Sequence, residues 1–450
     1  MRGGPVSALW SAAELAAALG VPGGWDVSGI SIDTRTLQPG DLFVALRGER
    51  DGHDFVAAAF AKGAAAALVT RPMQGNTIEV ADTLRALERL GVAARARGAA
   101  RIIAVTGSVG KTTTKEMLRR MLSGFGPVHA AEASFNNHIG VPLTLARMPR
   151  EAAFGVFEIG MNHPGEIAPL AAMVRPDVAI ITCVDRAHLG LMGSEAAIAR
   201  EKAEISRALV PGGAAVLPRS AEHAATLRAA VPHHARVIEF PGTGAQLLHL
   251  DETAESGTVT AVIGGVEVMF TLRIPGRHMA FNALAALAAA EALGLDVVRA
   301  AAALDGFVPY AGRGARRRIV LAQGEATLLD ESYNASGASM RAALSVLQLQ
   351  RGRRIAVLGD MLELGEFSAG EHMNLRPWTE TAADIVFACG PWSKVLFDSL
   401  PPSMQGAHAE NAAALAPVVK AALRDGDVVL VKGSYGSRMR DVISALESPA

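Results

Sequence analysis

The sequence predicts an α/β protein of three domains. Two observations carry that expectation. In two separate stretches of the chain, apolar runs of strand length alternate with helical segments, the pattern of parallel sheets wrapped by helices. The length of 450 residues also exceeds one compact core and, at about 150 residues per domain, allows about three.

The elements follow in order. In the opening MRGGPVSALWSAAELAAALG, Ser11 and Glu14 interrupt the apolar run while Leu9, Ala12, Ala16 and Leu19 recur at helical spacing, so an ordinary first helix is expected and not a signal peptide. Residues 25–82 read as short strands and turns through GISIDTR, GDLFVAL and AAAALVT, making 1–82 a small N-terminal α/β domain. A helix over Thr83–Arg97 carries Leu84, Leu87, Leu90 and Ala94 on its apolar face. From Arg101 the strands RIIAVTG, AAFGVFEIG and PDVAIITCV alternate with helices after Lys111, Pro164 and Ser194. TVTAVIGGVEVMFTLRI predicts an antiparallel hairpin turning at Gly264-Gly265, followed by an alanine-rich helix over 279–293. A basic, glycine-containing joint, GRGARRR, at 312–318 closes a central domain of residues 83–314. The remainder, 315–450, repeats the alternation: strands RRIAVLGD, DIVFACG and DVVLVKG, and helices over 336–349, 411–423 and 437–446, predict a Rossmann-like C-terminal domain.

Composition excludes several classes of function. Lysine plus arginine number 43 against 44 aspartate plus glutamate, a net charge of -1, so there is no cationic excess to grip nucleic acid or anionic lipid. No run approaches the roughly 18 apolar residues of a membrane span. The two cysteines, Cys183 and Cys389, lie in separate apolar runs and predict buried thiols in a reducing, cytoplasmic compartment.

The strongest motif is IIAVTGSVGKTTTKEML, a strand, a glycine-containing turn and a helix start. Such a turn aims backbone N–H groups and the positive helix end at phosphate oxygens, while Lys111 neutralises charge and Thr112 reaches a magnesium ion. Residues Gly107, Ser108, Val109, Gly110, Lys111, Thr112 and Thr113 form the loop, giving the central domain a P-loop, ATPase-like character. Val105 stands where the longer G-x-x-x-x-G-K-[ST] form would place glycine, leaving the shorter G-x-x-G-K-T-T form.

TGSVGKTTTKEM resembles the loop of the Mur ligases, the peptidoglycan-precursor amide synthetases. The resemblance runs over essentially the whole chain through SFNNHIGVPLTL at 134–145, EIGMNHPGEI at 158–167, GRHMAFNALAAL at 276–287, DESYNASGASM at 330–340, GDMLELGE at 359–366 and VLVKGS at 429–434. Several strings are specific to the family member that joins D-alanyl-D-alanine to UDP-N-acetylmuramoyl-tripeptide, and the DNPR-like string of a sibling that adds a diamino acid is missing. The resemblance implies an ATP- and Mg2+-dependent ligase, acting as a monomer in the cytoplasm on those two substrates through an acyl phosphate. It implies catalytic Lys111, with Glu158 and His188 binding a magnesium and Lys202 carbamylated to serve the same metal. Alone, Lys202 would read as a solvated helix lysine and His188 as a structural histidine. Asn282, Arg313 and Asp330 match nucleotide-contacting positions. Ser31, Asp33, Arg35 and His53 match the segment that holds the UDP-sugar, although several neighbours would serve equally as turn residues.

His163 and Pro164 read as a helix start with at most a positioning role, and His233-His234 as surface residues. Three positions depart from the family pattern: Met279 follows His278 where asparagine is usual, Ser336-Gly337 replaces Asn-Pro, and Tyr435 follows VKGS where arginine is common. The competing readings are another Mur ligase, a folylpolyglutamate synthetase, a P-loop kinase or ATPase, and a non-catalytic nucleotide-binding scaffold.

Overall fold

The structure, a computed structural model, describes residues 8–21, 24–131, 134–220 and 222–448. The first helix, Ala12–Leu19, is shorter than its sequence pattern and begins at a capping box in which Ser11 and Glu14 satisfy each other's backbone amides. The first seven residues of that expected segment lie outside the described residues.

Four short strands, β1 (Gly29–Ser31), β2 (Asp41–Val44), β3 (Ala66–Val69) and β4 (Thr77–Glu79), form a parallel sheet in chain order. The helix Thr83–Arg97 starts where Asp82 accepts from the amides of Leu84 and Arg85 at 2.8 and 3.0 Å. Its Ala86, Leu87, Leu90 and Ala94 close the N-terminal core beside Trp10, Leu15 and Leu42. Leu143 and Ala146, from a helix of the next domain, join the same cluster. This helix therefore binds the first two domains together. Trp10 marks the joint: its indole donates to the Ala146 carbonyl at 2.8 Å and the Arg97 guanidinium lies 3.6 Å above its ring. Trp10→Ala is expected to cost about 3–5 kcal/mol, read as a lowered urea midpoint for unfolding of the N-terminal domain.

The central sheet contains β5 (Arg101–Thr106), β6 (Val128–Ala130), β7 (Phe154–Glu158), β8 (Val178–Ile181), β9 (Ala214–Pro218) and β10 (Arg236–Phe240). All are parallel, in the order β10-β9-β8-β5-β7-β6. Strand order reverses beside β5, so the crevice at the carboxyl ends of β5, β7 and β8 is where such a sheet binds ligands. The expected hairpin is present as β12 (Gly257–Ile263) and β13 (Val266–Leu272), but β11 (Ala245–Glu252) adds a third antiparallel strand. The helix Arg277–Ala292 is buried against both sheets. Its eleven buried residues are mostly alanine, which lets the sheets approach closely from either side.

In the C-terminal domain, β14 (Ala315–Val320), β15 (Glu325–Glu331), β16 (Arg354–Gly359), β17 (Ile385–Cys389), β18 (Gln405–Ala409) and β19 (Val428–Lys432) form a sheet in the order β14-β15-β19-β16-β17-β18. β14 runs antiparallel at the edge and the rest are parallel. The basic stretch expected to be wholly a joint is thus part strand. Its arginines are accommodated because an edge strand leaves them near solvent and opposite acids: Arg317 pairs with Asp330 and Glu447, and Arg318 with Glu325 at 3.1 Å.

Candidate active site

The phosphate loop follows β5 and leads into the helix Lys111–Leu122. The first intrahelical bond here is Thr114 N to Gly110 O at 2.8 Å, so the amides of residues 110–113 start the helix without such partners and face outward as anion donors. Two glycines make the turn possible. Gly107 has φ 149° and a Cβ there would run into the Thr182 hydroxyl. Gly110 has φ 87° and a Cβ would strike the Asn282 amide. Gly110→Ala is expected to cost about 1–2 kcal/mol in backbone strain and to weaken ADP binding at least tenfold by calorimetry. Unaltered affinity would remove the loop's assigned role.

The loop is braced from below by the segment after β8. Ser108 N donates to Cys183 O at 3.0 Å, Val109 N to Cys183 Sγ at 3.4 Å, and the Thr182 hydroxyl donates to Val109 O. Lys111 lies along the loop with Nζ on Gly107 O at 2.7 Å, and burial holds its pKa below the usual lysine range. Thr112 Oγ1 donates to Glu158 Oε2 at 2.8 Å, and Asn136 Nδ2 donates to Glu158 Oε1 at the same distance. Ser134 Oγ sits 3.3 Å from both Thr112 Oγ1 and Arg313 NH2, while the Arg313 guanidinium stacks 4.1 Å from the Tyr333 ring centre.

These groups line one cleft of about 680 Å³ between the central and C-terminal domains. That volume is in the range of small-molecule sites. The C-terminal domain contributes Glu331, Tyr333, Asn334, Glu363, Lys432 and Tyr435 to its wall. Lys432 is buried and donates to Glu331 at 3.3 Å and to Asn334 O at 3.0 Å, with a pKa lowered by burial.

Sequence profiles for Mur ligase domains match three stretches: the catalytic domain over 26–125, the middle domain over 105–290, and the glutamate ligase domain over 315–435. The chain belongs to the Mur ligase family. It is 37% identical over 432 residues to the UDP-N-acetylmuramoyl-tripeptide--D-alanyl-D-alanine ligase of Escherichia coli (strain K12), covering 93% of each chain. It superposes on the crystal structure of MurF from Acinetobacter baumannii with a TM-score of 0.86, 32% identity and coverage of 97% and 98%. A MurF ligase from Thermotoga maritima in complex with ADP gives a TM-score of 0.80 at 26% identity, covering 93% and 97%.

In this Mur ligase the loop residues Ser108 to Thr113 and Glu158, His188, Asn282 and Arg313 share the cleft wall, as does Met279 at the position of departure. His188 takes a left-handed backbone (φ 61°), and its Nδ1 lies 2.5 Å from Glu363 Oε2 of the C-terminal domain. Lys202 lies outside that wall. It is buried on the inner face of the helix Glu195–Arg207 and has no hydrogen-bond or ion-pair partner among the described residues. Burial, with the Lys111 charge second, lowers its pKa to about 7. Asp330 is likewise buried behind the cleft, where it accepts from Gly312 N at 3.0 Å, from Ser332 and from Arg317, and so fixes the turn that aims Arg313.

The N-terminal candidates form a separate cluster. Ser31 is buried and its hydroxyl closes the turn onto Asp33. Arg35 hydrogen bonds hold the Asp33 carboxyl at about 2. Arg147, beside the SFNN segment, donates to Ile30 O at 2.6 Å, which sets this cluster against the central domain. His53 is fully buried: Nδ1 meets Asp51 at 2.5 Å and Nε2 accepts from Thr70 N at 2.9 Å. It shapes the loop and has no ring nitrogen free for a ligand. His163 is largely exposed beside Glu166, and His234 bonds to the Leu209 carbonyl. Ser134, Asn136, Tyr333 and Lys432 also line the cleft; each falls within one of the family-like strings, but no local motif marks it.

Proposed function

We propose that this Mur ligase joins D-alanyl-D-alanine to UDP-N-acetylmuramoyl-tripeptide in the cytoplasm, as a monomer, by activating the tripeptide's terminal carboxylate with ATP. The observation that carries the reading is the single cleft in which Lys111, Thr112 and Glu158 face the C-terminal domain. A free carboxylate is a poor acyl donor, whereas an acyl phosphate is attacked at its carbonyl carbon by the amine, forming the amide bond and releasing inorganic phosphate. Two peptides and a nucleotide must therefore meet, and a cleft between domains suits that meeting.

The amides of residues 110–113 and the Lys111 ammonium hold the nucleotide's phosphates, with Lys111 leaving Gly107 O to do so. Asn282 borders Gly110, and Arg313 stacks on Tyr333 and reaches Ser134 beside Thr112, so both are assigned to the nucleotide. The UDP end of the long substrate belongs with Ser31, Asp33 and Arg35, and its peptide reaches into the cleft past Asn136.

The donor set fits Mg2+. Glu158 is 2% exposed and, among the described residues, its carboxylate is hydrogen-bonded only to neutral groups, the Thr112 hydroxyl and the Asn136 amide, leaving a buried carboxylate beside hard oxygen donors. Thr112 is assigned to one magnesium, and Glu158, His188 and Lys202 as its carbamate to a second. When bound there, such ions would offset charge on the transferred phosphoryl group. Glu363 orients His188, and Lys202 acts as a metal-serving anion and not as a nucleophile.

Phosphate release with UDP-N-acetylmuramoyl-tripeptide tests the assignment directly. Turnover is expected with D-alanyl-D-alanine and not with single amino acids. Turnover with a single amino acid and none with the dipeptide would reassign the substrate within the family, and release needing neither peptide would favour an ATPase.

A further inference from the structure

We propose that Asp185 is a positioning residue that fastens the phosphate loop to the C-terminal domain, with Arg341 as its partner across the seam. On the loop side Asp185 works through its main chain. Its carbonyl accepts from Ser108 Oγ at 2.8 Å and its amide donates back to the same oxygen at 2.9 Å. The second residue of the loop is thus clasped by two reciprocal bonds. On the other side the Asp185 carboxylate accepts from Arg341 NH2 at 3.3 Å, and Arg341 stands on the helix Gly337–Gln348 of the C-terminal domain.

A second pair crosses the seam with its charges reversed: Arg186 NH1 donates to Glu371 Oε1 at 3.0 Å. Arg341 and Glu371 are themselves neighbours, because a Cβ on Gly337 would lie 3.1 Å from Arg341 NH1 and 3.3 Å from Glu371 Oε2. Charges of alternating sign therefore meet in one register, and a lateral slip of the domain would bring like charges together. The Asp185 and Glu371 side chains are only 18% and 7% exposed, so these pairs are screened less than open surface pairs. Nearby, Gly190 N donates to Glu363 O at 3.0 Å, which keeps the backbones in contact at the same place.

One residue thus shapes the loop and receives the C-terminal domain. Seating that domain draws on the strut that holds Ser108, and by linkage a nucleotide that orders the loop favours seating. The assignment rests on the ligase reading for its turnover assay, while nucleotide binding tests it independently.

The experiment compares wild type, Ser108→Ala, Arg341→Ala, the double variant and Arg341→Lys, at matched thermal midpoints. Each alanine variant is expected to lose about threefold to tenfold in kcat. The double should fall no more than about twofold below the lower single, because both changes cut one connection. Arg341→Lys should regain at least half the wild-type kcat. Losses in the double that multiply, or full activity in Arg341→Ala, overturn the proposal.

The second readout is ADP affinity by calorimetry without the peptide substrates, since Asp185 and Arg341 pair in this structure. Arg341→Ala should weaken ADP about threefold. Unchanged ADP affinity also overturns it. Failure of the wild type to ligate these substrates would instead refute the substrate reading and leave the ADP measurement to decide this one.

Discussion

Lys111→Met is expected to lower kcat for ligation about 10³-fold while leaving thermal stability unchanged or slightly raised. The two halves of this expectation share one cause. The half-buried ammonium lies beside the loop, hydrogen-bonded among the described residues to Gly107 O at 2.7 Å, and desolvation lowers its pKa. The fold therefore disfavours its charged form, and an apolar chain of similar length relieves that cost. In the reaction, the same charge lies where negative charge builds on the phosphoryl group, and removing such a preorganised group costs about 10²–10³ in rate or more. ADP affinity should fall less, by about tenfold, because the loop amides remain. Phosphate-release kinetics and a melting curve on one preparation check both halves. A variant retaining a tenth of wild-type turnover would remove Lys111 from catalysis.

Lys202→Met should cost at least about 10²-fold in kcat and abolish a bicarbonate-derived carbamate signal. Wild-type enzyme in 13C-bicarbonate should show a carbamate carbon resonance that the variant lacks. The amine reacts with carbon dioxide only when neutral, and burial with the Lys111 charge brings its pKa to about 7 instead of 10.5. Above pH 7 the amine is mostly free to react. Below pH 7 protonation removes it, and the reactive fraction falls about tenfold per pH unit. Carbamate occupancy, and turnover with it, is therefore expected to drop on the acid side of neutrality and to recover on raising bicarbonate. Full activity in Lys202→Met, or no carbamate signal in an active wild type, would falsify the assignment.

Local pattern explains what could be read from the sequence. The helix Thr83–Arg97 was legible because Leu87, Leu90 and Ala94 recur on one buried face, and the loop because strand, glycines, lysine and helix start are contiguous. Lys202, which alone reads as a solvated helix lysine, is buried; the signal that could have placed it inside is that Ile198, Ala199, Ile205 and Ser206 lie three or four residues away on the same buried face. Contacts between distant segments were not legible. Nothing near His53 in sequence announces Thr70, whose amide occupies Nε2. Three arginines in a row hide a strand because their partners, Glu325, Asp330 and Glu447, come from elsewhere in the chain. The pairing of His188 with Glu363 depends on domain docking, which no local pattern encodes.

The alanine-rich helix Arg277–Ala292 also acts as a spacer of fixed thickness. Because Asn282 rides on it against Gly110, the gap available to a nucleotide depends on how closely the helix packs through its small buried residues, Ala283, Ala286 and Ala290 among them. A larger side chain at any of them would shift the helix as a unit and change the width of the nucleotide slot without altering a single residue that touches it.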